Sequence, residues 1–250
     1  MGESRVAESP WYEFVAPRAR RNLLRILAEL SRLHEEGNSS FVIIGAFSLL
    51  LRGVLNYTVL WDLDLLFRDR ESMETLIDTP KSGELEVQHL DPHLMVGETI
   101  SSLHTAWRFE GGWFNVDYIL IPGDYDFYLA NPESETIFDS VVHFEGKRYP
   151  LRLPLAAPWD VAIKKLLSPR LERELEGRDS FSIDLRHIYH ILSKYGEEEL
   201  FWENLAGKAG YLGQLREVKS RLIELIALKD EVGYAEMKLQ GSLSGRVAAL

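Results

Sequence analysis

The chain has 250 residues, 46% of them hydrophobic and 27% charged, enough for one large or two small domains with a substantial core. It contains no cysteine, which excludes disulfides and thiolate metal sites and leaves oxygen or imidazole as metal ligands. The formal net charge of −11 argues against broad, non-specific nucleic-acid binding, which runs on phosphate neutralisation by Lys and Arg.

No apolar run reaches the roughly 18 residues of a membrane span, and the first residues lack the hydrophobic core of a signal peptide. These features point to a cytoplasmic protein with no membrane partner.

Residues 1–16 show no periodicity and read as a lead-in arm. Pro17 to Glu36 reads as a helix, because Leu23, Leu24, Ile26, Leu27, Leu30 and Leu33 recur at spacings of three and four. Pro17 suits its first turn and Gly37 its stop. Ser39 to Ile44 is a short β-branched run and hence a strand. Gly45-Ala46 follows at once, and Phe47 to Leu51 resumes as a short apolar helix ending near Gly53. Trp61 to Phe67 is a second strand, and Glu71 to Ile77 a helix.

Glu84 to Leu90 reads as a further strand. Thr105 to Glu110, the pair Gly111-Gly112 and Trp113 to Ile121 form a hairpin, since two glycines between alternating aromatic segments are a turn signal. Val141 to Phe144 and Arg148 to Leu153 form a second. From Pro154 the period is helical throughout, over Trp159 to Leu167, Ile183 to Tyr195, Glu198 to Ala206 and Leu212 to Lys229. The fold class is therefore α/β in the α+β sense, with a mixed sheet-and-helix domain over residues 1–153 and a helical domain over 154–250.

The chemistry concentrates in three aspartates. Asp62 and Asp64 are two apart on a hydrophobic strand, so both project from one face while Leu63 and Leu65 take the other. Asp117 stands in the otherwise apolar strand Phe114 to Leu120, opposite in facing to Val116 and Tyr118. Side by side, such carboxylates repel, and a divalent cation relieves that repulsion. Their convergence would suit one or two Mg²⁺ ions, which favour carboxylate oxygen and leave positions for phosphates. At Gly45-Ala46, at the start of a helix, free N–H groups are suited to a triphosphate.

Taken singly, each feature has an ordinary structural reading: a surface strand end, a solvent-facing acid, a plain turn. Their joint order resembles the DNA-polymerase-β-like nucleotidyltransferase superfamily, whose pattern is a Gly-Gly or Gly-Ser turn, a helix, an Asp-x-Asp strand and a later third Asp. Within it the chain is most similar to the abortive-infection (AbiEii/AbiGii toxin-like) nucleotidyltransferases. Pro158-Trp-Asp-Val-Ala-Ile-Lys-Lys-Leu-Leu167 resembles that group's lysine-bearing helix, and Arg178-Asp179 with Asp184-Leu185 resembles its downstream segment.

The resemblance implies a mixed sheet with flanking helices, a helical second domain, and a nucleotide between them. It assigns Asp62, Asp64 and Asp117 to catalysis and to Mg²⁺, with Mn²⁺ as a substitute. It assigns Gly45, Ala46, Ser48, Lys164 and Lys165 to the nucleotide. The implied reaction moves a nucleoside monophosphate from an NTP to an acceptor hydroxyl and releases pyrophosphate. The implied acceptors are tRNA or protein, as in toxin–antitoxin systems with a cognate antitoxin partner. A small-molecule acceptor of the antibiotic type, or a non-catalytic nucleotide-binding protein that keeps the fold, are the alternatives.

Three departures from the family pattern are visible. Ala46 supplies no side-chain hydroxyl; ahead of the Asp-x-Asp, Asn56 takes the usual Arg position and Thr58 lies two residues further back than the usual Thr; and the fifteen residues between Ala46 and Asp62 are at the long end. Arg18, Arg20 and Arg21, or Arg170 and Arg173, are the residues that would line a groove for RNA. His89 with His93, and His187 with His190, are further imidazole pairs; the first lies in a proline-containing loop, and the second fits interhelical packing.

Overall fold

A computed structural model of the chain describes residues 10–37, 39–57, 62–89, 102–109, 112–177, 183–228 and 242–250. It divides into two compact units, Met1–Ala157 and Pro158–Leu250.

After a 3-10 turn at Pro10–Phe14, the first unit opens with α1 (Pro17–Glu35), which begins at the predicted proline. Leu23, Leu24, Ile26, Leu27, Leu30 and Leu33 are all fully buried, the single face that their spacing requires. Glu29 is buried on the same helix. Burial works against its charge, but hydrogen bonds from Arg32 and Ser82 outweigh that and hold the carboxyl below its ordinary range.

β1 (Phe41–Ile43), α2 (Gly45–Leu51), β2 (Asp62–Phe67), α3 (Arg70–Asp78), β3 (Glu86–His89), β4 (Ser102–Phe109) and β5 (Gly112–Ile119) follow. The five strands form one sheet in the order β1-β2-β5-β4-β3. β2 and β5 run parallel at its centre, and every other pair is antiparallel. The side chains of β2 and β5 alternate as the period of two demands. Leu63, Leu65, Val116 and Tyr118 are fully buried, whereas Asp62, Asp64 and Asp117 lie on the more open face.

Behind the acids the core is polar only where it is paired. Trp107 donates its indole N–H to Tyr118 Oη at 3.1 Å, and burial pushes the Tyr118 phenol well above its usual pKa. Phe67 meets Tyr118 edge-on, with ring centroids 5.3 Å apart.

The unit closes with α4 (Asp124–Leu129), α5 (Glu133–Thr136) and the hairpin of β6 (Ile137–Phe144) and β7 (Lys147–Pro154). Arg52, at the end of α2, donates to the carbonyls of Glu135, Leu155 and Ala156 and so ties α2 to the chain leaving β7. In the second unit come α6 (Pro158–Leu166), α7 (Pro169–Leu175), α8 (Ile183–Tyr195), α9 (Glu199–Tyr211), α10 (Leu215–Leu228) and α11 (Leu243–Ala249). No helix among the described residues is long and apolar enough to cross a membrane.

Several boundaries differ from the sequence-based expectations. α2 begins at Gly45 rather than Phe47, so Gly45-Ala46 is the first turn of the helix itself. α9 runs on to Tyr211 instead of stopping at Ala206. α10 starts at Leu215 rather than Leu212, because Gly213 adopts φ +69° and its N–H closes a turn onto Gly210. The short helices α4, α5, α7 and α11 were not expected: four to seven residues are too few to display a 3.6-residue period. Thr58, Trp61, Leu90 to His93, Glu110-Gly111 and Arg178-Asp179 lie outside the described residues.

Candidate active site

The site begins with a register. Asp64 pairs with Asp117 and Asp62 with Asn115 across the parallel β2–β5 ladder, so the period of two brings all three acids to one face of two adjacent strands. One carboxylate oxygen from each of Asp62, Asp64 and Asp117 can be chosen so that all lie within 4.8 Å of one another. Among the described residues no other group of three His, Asp or Glu side chains is so gathered. Asp62 is exposed, and Asp64 and Asp117 are half-buried. At that spacing, each pair of ionised carboxylates repels by about 1 to 3 kcal/mol, depending on how much water screens it.

The first turn of α2 is built against this cluster. Gly45 has φ +66°, and a Cβ placed there would stand 2.5 Å from Asp64 Oδ2. Glycine is thus required twice over, by the left-handed backbone and by the carboxylate at its Cα. Ile44 N–H donates to the Asp64 carbonyl at 3.1 Å, which fixes the turn to the strand that carries the acids. Gly45 and Ala46 are both partly open. Ser48 is fully buried, and its hydroxyl donates to the Gly45 carbonyl at 2.8 Å, bracing the turn from within the helix.

His104 is a site residue that the sequence reading did not single out. It faces Asp117 across the antiparallel β4–β5 pair, with Nδ1 3.0 Å from Asp117 Oδ1. A turn at Gly111-Gly112 sets Glu110 against Trp113 and Ala106 against Asp117. The actual pairing is Phe109 with Gly112, which moves each partner along by two and brings His104 to the acid. The hairpin was legible; the one-residue difference in its turn hid the histidine.

A hard divalent cation fits these residues. The donors are all carboxylate oxygens, the cluster is reachable from solvent, and the face beside Asp64 is kept clear by the missing Cβ of Gly45. His89 is exposed at the end of β3 and takes no part in the cluster.

The lysines proposed from sequence lie on α6 of the second unit. Lys165 Nζ sits 2.5 Å from Asp184 Oδ1, with its side chain 14% exposed, and Lys164 beside it is half-buried. His187 is buried on α8. Desolvation and then the nearby Lys165 charge push its imidazole down to about 2, so it is neutral. Arg20 donates to the Glu13 and Val15 carbonyls, Arg21 pairs with Glu145, and Arg170 pairs with Glu174.

No protein-family model matches the chain, and no curated protein matches it. Solved structures resemble it at low identity, among them the following three. A Helicobacter pylori protein described as a candidate nucleotidyltransferase is 17% identical over 92% of this chain and 87% of its own, with a TM-score of 0.49. JHP933 from Helicobacter pylori is 16% identical over 94% and 89%, with a TM-score of 0.48. An antigenic nucleotidyltransferase-like protein from Paracoccidioides brasiliensis is 16% identical over 79% and 92%, with a TM-score of 0.41.

Proposed function

We propose that the first unit is a nucleotidyltransferase domain that moves a nucleoside monophosphate from an NTP to an acceptor hydroxyl. The observation that carries this reading is the meeting of Asp62, Asp64 and Asp117 on one face of adjacent parallel strands, with Gly45 closed against Asp64. Asp62, Asp64 and Asp117 would hold Mg²⁺, or Mn²⁺ in its place. The cation supplies charge neutralisation for the acids and for the phosphates of the substrate.

The protein's own groups do the rest. The partly open Gly45-Ala46 turn offers backbone N–H groups to phosphate oxygens, and the buried Ser48 hydroxyl holds that turn in shape. Asp117 takes the proton of the acceptor hydroxyl as its oxygen bonds to the α-phosphorus and the bond to the pyrophosphate oxygen breaks. His104, 3.0 Å away, orients the Asp117 carboxylate. Following the family resemblance, we assign the acceptor to a tRNA end or a protein side chain, with an antitoxin as cognate partner.

A second reading is a nucleotide sensor without turnover. Ala46 carries no hydroxyl, and the hydroxyl of Ser48 is committed to the Gly45 carbonyl, which leaves the turn only its backbone for phosphate. Incubation of the protein with Mg²⁺, each labelled NTP and a matched cell extract separates the two. Label transfer that Asp64→Ala abolishes supports the transferase. Metal-dependent NTP binding without transfer supports the sensor, and absence of both defeats both.

A further inference from the structure

The first unit contains a cavity of about 580 Å³ lined from α1, α2 and the start of β5, within the range of small-molecule sites. Its walls are aromatic: Phe47, Tyr57, Trp113 and Phe114 line it, and Phe47 holds Phe114 edge-on at 6.0 Å between ring centroids. Trp113 is 69% exposed, an unusual position for an indole when the other aromatic side chains among the described residues are mostly covered.

Three polar side chains interrupt the apolar lining: Arg18, Asn22 and Asn115. Among the described residues none of the three has a side-chain hydrogen bond or ion pair, whereas Arg20, Arg21, Arg25 and Arg32 on the same helix as Arg18 are all engaged. Asn22 reaches close to the sheet because Gly112 has no side chain; a Cβ there would stand 2.8 Å from Asn22 Nδ2.

The cavity belongs to the neighbourhood of the triad by its walls. Asn115 is the register partner of Asp62 and stands two residues before Asp117 on the same face of β5. Phe47 is in the first turn of α2, whose opening residue Gly45 abuts Asp64.

We propose that this cavity is the ring-binding part of that site and takes a nucleobase. Flat aromatic walls accept any base by stacking. Asn22 and Asn115 each present a donor and an acceptor to the edge of a heteroaromatic ring. The Arg18 guanidinium supplies donors for a ring carbonyl or a phosphate oxygen at the entrance. The identification of the ring as a nucleobase rests on the reading of the triad as a nucleotidyl-transfer site. The same chemistry arises from two sources, the base of the NTP or a base at the end of a single-stranded RNA acceptor.

The test is equilibrium binding of the four ribonucleosides, without phosphate or metal, to the full chain. At least one nucleoside should bind at millimolar concentration. Trp113→Ala, at an exposed position, should weaken it about tenfold, a typical loss for one stacking partner. Ala19→Phe, which fills the cavity from α1, should do the same or more, and Asp64→Asn should leave nucleoside binding unchanged. Absence of binding by all four, or wild-type affinity retained in both cavity variants, overturns the proposal.

The triad reading fails separately, if Asp64→Asn leaves metal-dependent NTP binding intact while nucleosides still bind. With Mg²⁺ present, weaker NTP binding by Ala19→Phe assigns the cavity to the donor base. Unchanged NTP binding with weaker binding of a short single-stranded oligoribonucleotide assigns it to the acceptor.

Discussion

The two units use carboxylates in opposite ways. In the second unit three acids, Asp160, Glu174 and Asp184, are buried and answered one by one. Asp160, with no exposed surface on its side chain, meets Lys208 at 2.7 Å, and Asp184 meets Lys165. Glu174 accepts the N–H groups of Asp184 and Leu185 at 3.0 and 2.8 Å and pairs with Arg170. There, Glu174 satisfies backbone donors at the entry to α8 that would otherwise be left without partners. In the first unit three acids are gathered against one another at an accessible face, with a histidine beside one and a bare glycine beside another. Ion pairs placed inside a helical bundle hold structure in register; like charges held together by two strands offer the oxygen ligands that a hard cation takes.

Mutations should therefore divide by unit. The largest effect belongs to the triad. Asp62→Asn or Asp64→Asn should lower nucleotidyl transfer by about 10³-fold or more, since the stabilisation lost with the cation is several kcal/mol. Thermal unfolding should move little or rise, because like-charge repulsion is relieved. Equal loss of activity and stability would make the triad structural.

Lys208→Met should act in the reverse sense. It leaves Asp160 buried without its ammonium and should cost about 3 kcal/mol, read as a shift of the urea midpoint. Burial lowers the pKa of Lys208 and the adjacent carboxylate opposes that drop, a balance which the substitution removes.

Gly45→Ala joins the two tests. The left-handed backbone and the contact with Asp64 should together cost about 1–2 kcal/mol of stability. Metal-dependent nucleotide binding should fall further than that loss explains, because the Cβ displaces a carboxylate of the cluster. Binding that falls no more than stability would make the glycine a plain turn residue.

The smallest effect is a pH dependence of the second unit. His187 is held down at about 2 by burial, with the neighbouring cations adding to it, against about 6.5 in an unfolded chain. Between those values the unfolded chain binds a proton that the folded one does not. Stability is therefore full above about pH 6.5 and declines as the pH falls, by about 1.4 kcal/mol at pH 5.5. The lowered pKa of His190 works in the same direction. Urea midpoints at pH 7.5 and 5.5 should show the decline, and His187→Gln should flatten it.

Much of this was legible in the chain itself, for reasons particular to each element. α1 declared itself by six apolar residues on one face, and the acids declared their shared facing by a spacing of two. The parallel pairing of β2 with β5 is what brings Asp64 opposite Asp117. That contact spans more than fifty residues, and no local pattern encodes it. His104 depended on a hairpin register that a single turn residue decides, and the close fit of Gly45 to Asp64 depended on side-chain packing. Likewise Lys165 reads as a free phosphate ligand on a helical wheel, and only the fold reveals Asp184 beside it.

A calorimetric titration of the intact protein with each NTP, with and without Mg²⁺, and repeated with Asp64→Asn, decides between a site and a coincidence of acids. A cation-dependent nucleotide site binds at least one NTP with Mg²⁺ present, loses most of that affinity when the metal is chelated, and loses it again in Asp64→Asn. Binding that ignores both the cation and the substitution would contradict the role given to the three aspartates.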